Sequence, residues 1–498
     1  MVGKHRISDL PHLGGSVRPR GSAACATAMT IDRLSLAGLA PWTLRRTLLV
    51  ALLLRLPAVV WADGYGYPDQ QFQYVEPAWH LATGAAWHEP WEFQDGMRSW
   101  VYPGCLAALF RGLLALGVDG PAALLAGARG CHALLSLLPV WLFWLALGRW
   151  RHAAPATVPL LLWLGSGLPL FGLQPSGPAW SQILAVSAGL ALHGPGRFPL
   201  LAGLCLGFAF CGRFQDAIFG PAFLLTLCWQ RRLTAAGWFV AGCLPGILLQ
   251  GCVDVAAGGA FLGSMWQNVF SNIVLTSSQA WRTQPFWFYW LAGVAPVLAL
   301  APGVLGVAVR RCLAGARLLP GAAAGALLHL LAHSFVLRKA LRFEYPALTL
   351  ALAVLLAGLP AATGRAARWH VGLLAAVHFG LWCVASLWFG NAGAVRASLW
   401  LREQPAMQRS LVVIDGDASN LAGAFYLAPA RDHIQGMSLA VLGERIASGA
   451  LPRAGFVVAM RELLPEPAAS RLGLEHAATF QGWFDLRRGE RRHVYRWR

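Results

Sequence analysis

Residues 63–103 read DGYGYPDQQFQYVEPAWHLATGAAWHEPWEFQDGMRSWVYP. They follow a first apolar run at 45–62 and precede a long series of others. Six of the chain's 22 acidic residues fall in this stretch: Asp63, Asp69, Glu76, Glu89, Glu92 and Asp95. Between Asp119 and Glu344 the only acids are Asp216 and Asp254. Carboxylates are costly near a bilayer, so a cluster just past a first span points to chemistry or ligand binding. A solvated loop would explain the acids but not the density of Trp, Tyr and Phe among them.

The surrounding composition sets the class. Of 498 residues, 57% are apolar and 12% charged, with a mean hydropathy of +0.52. Soluble domains carry about 25% charged residues, so this is an α-helical polytopic membrane protein. The formal net charge is +18, and Lys4 and Lys339 are the only lysines. The arginines are spread through short connections between apolar runs, as expected of inner-face loops, and no nucleic-acid partner is expected. The ten cysteines lie between Cys25 and Cys383, mostly inside apolar runs and without zinc spacing. They read as buried thiols, and neither a metal nor a cofactor is expected. No Walker loop, dinucleotide fingerprint, HExxH or nucleophile elbow is present.

Apolar runs near 45–62, 104–118, 122–147, 153–172, 178–194, 198–212, 216–230, 234–252, 286–309, 318–334, 344–361 and 368–389 predict 11 or 12 transmembrane helices. Several are shorter than the roughly 20 residues of a full span. Basic pairs at Arg149/Arg151, Arg231/Arg232, Arg310/Arg311 and Arg365/Arg368 read as inner loops, which puts 63–103, 253–285 and 335–343 outside. Residues 1–44 read as a disordered inner tail, with Met29 an alternative start. The transmembrane domain runs over 45–390, with 63–103 as its outer loop. From 391 to 498 a small soluble α/β domain is expected on the outer side. Its strands are predicted at 411–415, 424–428 and 456–460 with a final pair, its helix near 438–448, and its role as acceptor recognition or a structural cap.

The motifs carry a resemblance. YPDQQFQYVEPAWHL (67–81) and PWEFQDGMRSWVYP (90–103) resemble the first outer loop of glycosyltransferase family 22, the polyisoprenyl-phosphate-mannose-dependent α-mannosyltransferases of GPI-anchor and N-glycan assembly. Asp69, Gln73, Glu76, His80, Trp91, Glu92, Gly96, Arg98, Ser99, Tyr102 and Pro103 match in order and spacing. Arg213, Asp254, Asn268, PFWFY (285–289) and HSFVLRKALRFEYP (333–346) continue the likeness downstream. The departures are Tyr67 for the family's His, Gln70 for its Glu and Ala340 for an acid after Lys339.

The resemblance implies a GT-C glycosyltransferase fold and inverting transfer of mannose from a polyprenyl-phosphate donor to a hydroxyl of a glycan or glycolipid acceptor. Such transfer needs a base for the acceptor proton, and Asp69 is the first candidate. Glu92 is a second base, an acceptor ligand or a structural group. The leaving phosphate needs positive donors, for which Arg338, Lys339 and Arg342 could converge on a helical turn, with His333 beside them; an interfacial charge belt is the alternative. Gln73, Glu76, Trp91, Arg98 and Arg213 read as substrate or loop framework: Arg98 and Arg213 bind donor phosphate or pair with Glu92 and Asp216, and Trp91, like Phe93 and Trp100, stacks on a sugar face or anchors at the interface. A bacterial inner membrane with the site facing the periplasm is expected, an endoplasmic-reticulum membrane with a lumenal site being the alternative. Transfer of another lipid-linked sugar, or a lipid-linked oligosaccharide transporter, are the rival readings.

Overall fold

The computed structural model describes residues 43–498 apart from 63, 88, 149–156, 275–282, 388–389, 405–410, 415–420, 428–433, 452–454, 461–462, 483–490 and 498. Residues 1–42 of the expected tail and the Arg149/Arg151 pair therefore lie outside the described residues, while Thr43 caps the first helix, Leu44–Leu53. Described helices run through the chain to Arg402, and the C-terminal part is a mixed α/β layer.

Among the described residues, three helical stretches are long and apolar enough to cross a membrane: Pro121–Gly148, Leu233–Ala256 and Arg365–Ser386. Shorter apolar helices include Val101–Ala115, Thr157–Phe171, Phe198–Gly212 and Phe214–Trp229. Small residues let them approach closely. A Cβ added at Gly203 would collide with the Phe239 carbonyl, and one at Gly207 with the Cys243 carbonyl. Helices Phe198–Gly212 and Leu233–Ala256 thus touch backbone to backbone, as small-residue interfaces permit in lipid.

Several expected spans are not single helices: 45–62 is Leu44–Leu53 and Leu56–Val60, 153–172 includes Thr157–Leu164 and Leu168–Phe171, and 286–309 is broken more sharply. The apolar run 286–309 turns at Leu298, and a new helix, Leu305–Leu318, begins beyond it. That helix meets Pro320–Phe335 at 118°. Arg310 and Arg311 lie inside it, not in a loop. Arg311 is buried, donating to the Leu359 and Ala362 carbonyls at 3.2 Å each and contacting His370 Nδ1 at 2.9 Å. Apolarity alone could not reveal this break, because the turn at 298–304 is itself apolar.

The stretch 63–103, expected as a loop, is largely helical. Pro68 starts the helix with its fixed φ and missing donor, and the chain coils through Pro68–Gln70, widens to a π-helical turn over Gln71–Val75, and continues as Glu76–Thr83. Gly84, at φ +73°, ends it in the left-handed conformation that glycine adopts without penalty. A second short helix, Trp91–Gln94, follows. Between them His80, Trp87, Phe93 and Trp100 pack in one cluster, with Phe93 and Trp100 centroids 4.6 Å apart.

The C-terminal sheet has five strands, β1 (Leu411–Ile414), β2 (Ile434–Met437), β3 (Phe456–Met460), β4 (Leu474–Phe480) and β5 (Arg492–Trp497), in the order β2-β1-β3-β5-β4. β1 is parallel to β2 and β3, while β5 is antiparallel to β3 and β4. The strand expected at 424–428 is a helix, Ala424–Leu427. Its aromatic side chains serve a different partner: Phe425 stacks on Phe110 (5.6 Å) and meets Trp79 edge-on (5.4 Å). The sheet domain is therefore docked on the helix of 63–103. Glu76 forms the tie, its fully buried Oε1 accepting from the Phe425 N–H (2.9 Å) and Gln71 Nε2 (3.1 Å).

Candidate active site

Asp69 sits in the first turn after Pro68, its side chain one-third exposed, and its Oδ2 meets Arg342 Nη2 at 2.9 Å. Arg342 belongs to the short 3-10 turn Leu341–Glu344, which leads into helix Tyr345–Ala357. Its guanidinium lies over the Tyr67 ring at 4.3 Å and near Phe343 at 5.2 Å. Tyr67 in turn donates to Ser176 Oγ at 3.1 Å. One carboxylate, one guanidinium and one aromatic face thus form a compact group partly open to solvent. Asp69 is the most accessible of the three carboxylates Asp69, Glu76 and Glu92.

Glu92 lies apart from that group. Its Oε1 accepts from Gln73 Nε2 at 2.7 Å and faces Arg98 Nη2 at 3.4 Å. Glu76 is wholly buried, and Trp91 is half-exposed. Ser99 anchors the end of the stretch by donating to Gln250 Oε1 at 2.6 Å, and Gln250 donates to Asp254. The substituted Gln70 is also held: it accepts from the Gly66 N–H at 3.0 Å and donates to Gln174 at 2.9 Å.

The helical turn expected to gather Arg338, Lys339 and Arg342 does not form. Residue 340 is extended, at φ −143° and ψ 138°, and Arg338 makes an antiparallel bridge with Thr283. Buried Lys339 donates its Nζ to the Gln284 carbonyl (3.0 Å) and the Val336 carbonyl (2.5 Å); burial lowers its pKa. Only Arg342 of the three meets Asp69. The extended backbone separates side chains that a helix would stack.

Behind Arg342 lies a buried charged network that sequence reading saw only in part. Arg213 donates to the Phe343 carbonyl at 2.5 Å, faces Asp216 Oδ1 at 3.6 Å and lies 3.4 Å from His333 Nε2. His329 bridges Asp216 Oδ1 (3.0 Å) and Glu344 Oε2 (2.9 Å), while Ser181 donates to Asp216 Oδ2. His329 and Glu344 were missed; the i, i+4 spacing of His329 and His333 was the available signal. Ligand atoms of His329, His333 and Glu344 lie within 4.8 Å of one another, a spacing open to a metal ion. Both His329 nitrogens, however, are already engaged by carboxylates, and the Arg213 cation borders the group. Through Arg213 the network holds Phe343, and so its neighbour Arg342, while Glu344 Oε1 has no hydrogen-bond partner among the described residues.

A profile of the Alg9-like mannosyltransferase family matches residues 46–392. The chain belongs to the Alg9-like mannosyltransferase family. A curated relative of this Alg9-like chain, GPI mannosyltransferase 3 of Drosophila melanogaster, is 31% identical over 119 residues. That alignment covers 24% of this chain and 21% of the relative, so the chain matches about a fifth of the relative's length. Among solved structures, ArnT from Cupriavidus metallidurans bound to undecaprenyl phosphate superposes with a TM-score of 0.55 at 13% identity, covering 90% of this chain and 97% of that one. Its apo state gives 0.56, covering 90% and 96%. The Alg9-like chain has the GT-C fold in common with them.

Proposed function

We propose that the protein is a membrane mannosyltransferase that moves mannose from a polyprenyl-phosphate donor to a hydroxyl of a glycan or glycolipid acceptor. The observation that carries this reading is the Asp69–Arg342 pair at 2.9 Å, placed by a motif collinear with the family. Support for a lipid-phosphate donor comes from the same-fold ArnT structure that holds undecaprenyl phosphate.

The chemistry follows from the pair. The acceptor oxygen attacks C1 of the mannose as the C1–O bond to phosphate breaks, and the electron pair leaves with the polyprenyl phosphate. Asp69 takes the acceptor's hydroxyl proton. The donor is a phosphodiester with one negative charge, and the departing monoester gains another. Arg342 faces that growing charge and has more to gain from the phosphate as reaction proceeds. Drawing Arg342 toward the phosphate frees Asp69 to accept from the acceptor. Attack opposite the phosphate inverts a β-linked sugar to an α-linked product. Glu92, held by Gln73 and Arg98, keeps the outer helix in place or receives an acceptor hydroxyl. Arg338 and Lys339, through their ties to Thr283 and Gln284, and His333, beside Arg213, order the connection that bears Arg342. The site faces the outer side of the membrane, read here as the periplasmic face of a bacterial inner membrane.

The test incubates membranes containing the protein with radiolabelled polyprenyl-phosphate mannose, using endogenous lipids and alkyl glycosides as acceptors. Asp69→Asn is expected to lower transfer by about 10²- to 10⁴-fold. Equal transfer by wild type and variant would remove Asp69 as the base. Turnover of another lipid-linked sugar with none from the mannose lipid would overturn the mannose assignment.

A further inference from the structure

A cavity of about 50 Å³ adjoins the Asp69–Arg342 pair, with Tyr67, Gln174, Ser176, Gln182, Arg342 and Tyr345 among its walls. Gln182 is almost completely buried, and its Oε1 accepts no hydrogen bond among the described residues. Its Nε2 is doubly used, donating to the Leu168 carbonyl at 2.8 Å and to Thr349 Oγ1 at 3.1 Å. The amide cannot be turned over to relieve the orphan. Turned, it would leave the Leu168 carbonyl without its donor. The Thr349 hydroxyl already donates to the Tyr345 carbonyl at 2.6 Å and has no proton for a turned oxygen. A buried acceptor left in this state is costly unless something fills it.

The rest of the lining states what that something is. Tyr67 and Ser176 contribute hydroxyls, and Gln174, also in the lining, spends its Oε1 on Gln70 Nε2. Tyr345 stacks with Phe171 at 4.7 Å to form an apolar side. The one cation, Arg342, is met by Asp69. Neutral donors and acceptors beside aromatic rings suit a hydroxyl on a carbon frame and not a free anion. At roughly 10–15 Å³ per water-sized probe, the space admits a few water molecules, hence one corner of a sugar but not a ring.

We propose that this cavity is a hydroxyl-recognition subsite: it takes a hydroxymethyl or ring hydroxyl of the hexose lying against Asp69, with Gln182 Oε1 as its acceptor. The inference rests on the transferase reading above and adds a specificity-determining residue, Gln182, on a helix outside the outer motif. Donor and acceptor sugars share this chemistry, and the experiment separates them.

The full-length protein is assayed with polyprenyl-phosphate mannose and with its 2-, 3-, 4- and 6-deoxy analogues. The same deoxy series is then made on the acceptor turned over in the radiolabel assay. Wild type is expected to lose about 10- to 100-fold in kcat/KM at one position, because the deoxy sugar leaves Gln182 Oε1 buried without a partner. Gln182→Met should bring the intact and deoxy sugars to within about threefold of each other. Gln182→Asn, which keeps an amide for Leu168 and Thr349 but withdraws it by one methylene, is read on the same ratio should the Met variant not fold. Sensitivity on the donor series assigns the cavity to the donor, and sensitivity on the acceptor series to the acceptor. A wild type indifferent to every position, or a sensitivity unchanged in both variants, overturns the subsite and leaves the transferase standing. Absence of transfer from any intact sugar lipid overturns the transferase reading and the subsite with it.

Discussion

Tyr67 departs from the family's histidine, and its surroundings show what the substitution does. Its ring carries the Arg342 guanidinium at 4.3 Å and its hydroxyl reaches Ser176. A cation over an aromatic face contributes about 0.5–2 kcal/mol, more than one neutral hydrogen bond to a partly wet partner. Tyr67→Phe should therefore leave kcat/KM within about threefold of wild type. Tyr67→Ala should lower it by about tenfold or more, mainly through donor KM, as Arg342 loses its platform. Steady-state kinetics on both variants checks the order; an equal loss in the two would assign the effect to the hydroxyl. Asp69 was legible as a candidate in the sequence because its motif is local. Arg342 as its partner was not, since 273 residues separate them and Arg338 and Lys339 offered equal charge nearby.

At the scale of elements, the helix pair Phe198–Gly212 and Leu233–Ala256 offers a graded test. Gly203, Gly207, Gly242 and Gly246 have no room for a Cβ, whereas Gly237 on the same second helix has nothing within 4 Å. Gly246→Val should destabilise the protein by about 1–3 kcal/mol through backbone displacement. Gly237→Ala should be neutral or stabilising by up to about 1 kcal/mol from helix propensity. Thermal melts in one detergent compare the two, and equal melting temperatures would refute the packing argument. Element type was readable wherever apolar periodicity ran unbroken. It failed at 298–304 and 424–427, where apolar residues form a turn and a docking helix, because burial and not local propensity selects the backbone there.

Across the whole molecule, the C-terminal layer is part of the scaffold of the site. Asn391 Nδ2 donates to the Tyr65 carbonyl, the Tyr65 N–H to the Gly390 carbonyl, and the Phe425 N–H to Glu76, each at 2.9 Å. Val395, Ala422, Phe425 and Tyr426 share one core with Tyr65, Tyr74 and Phe110. Glu76→Ala should cost about 1–3 kcal/mol by leaving the Phe425 N–H buried without an acceptor, while the Gln71 amide keeps its bond to the Ala422 carbonyl at 3.0 Å. The same change should increase proteolysis within 63–103. By contrast, Glu475→Ala, which removes the exposed pair with Arg496, should cost no more than about 1 kcal/mol. Limited proteolysis and melting of the two variants test whether the sheet domain braces the helix of 63–103.

By itself the sequence determined the membrane class, the positions of most helices, the acidic stretch 63–103 and Asp69 as a candidate within it. Those are local facts, written in hydropathy, in proline and glycine placement, and in the spacing of one motif. The tertiary structure alone decided that Arg342 and not Lys339 meets Asp69, that Glu76 ties a distant sheet, and that Gln182 keeps a bare acceptor beside the site. Each depends on which backbone approaches which across more than 100 residues. Residue type and order do not encode that approach locally; close packing selects it when the whole chain has folded.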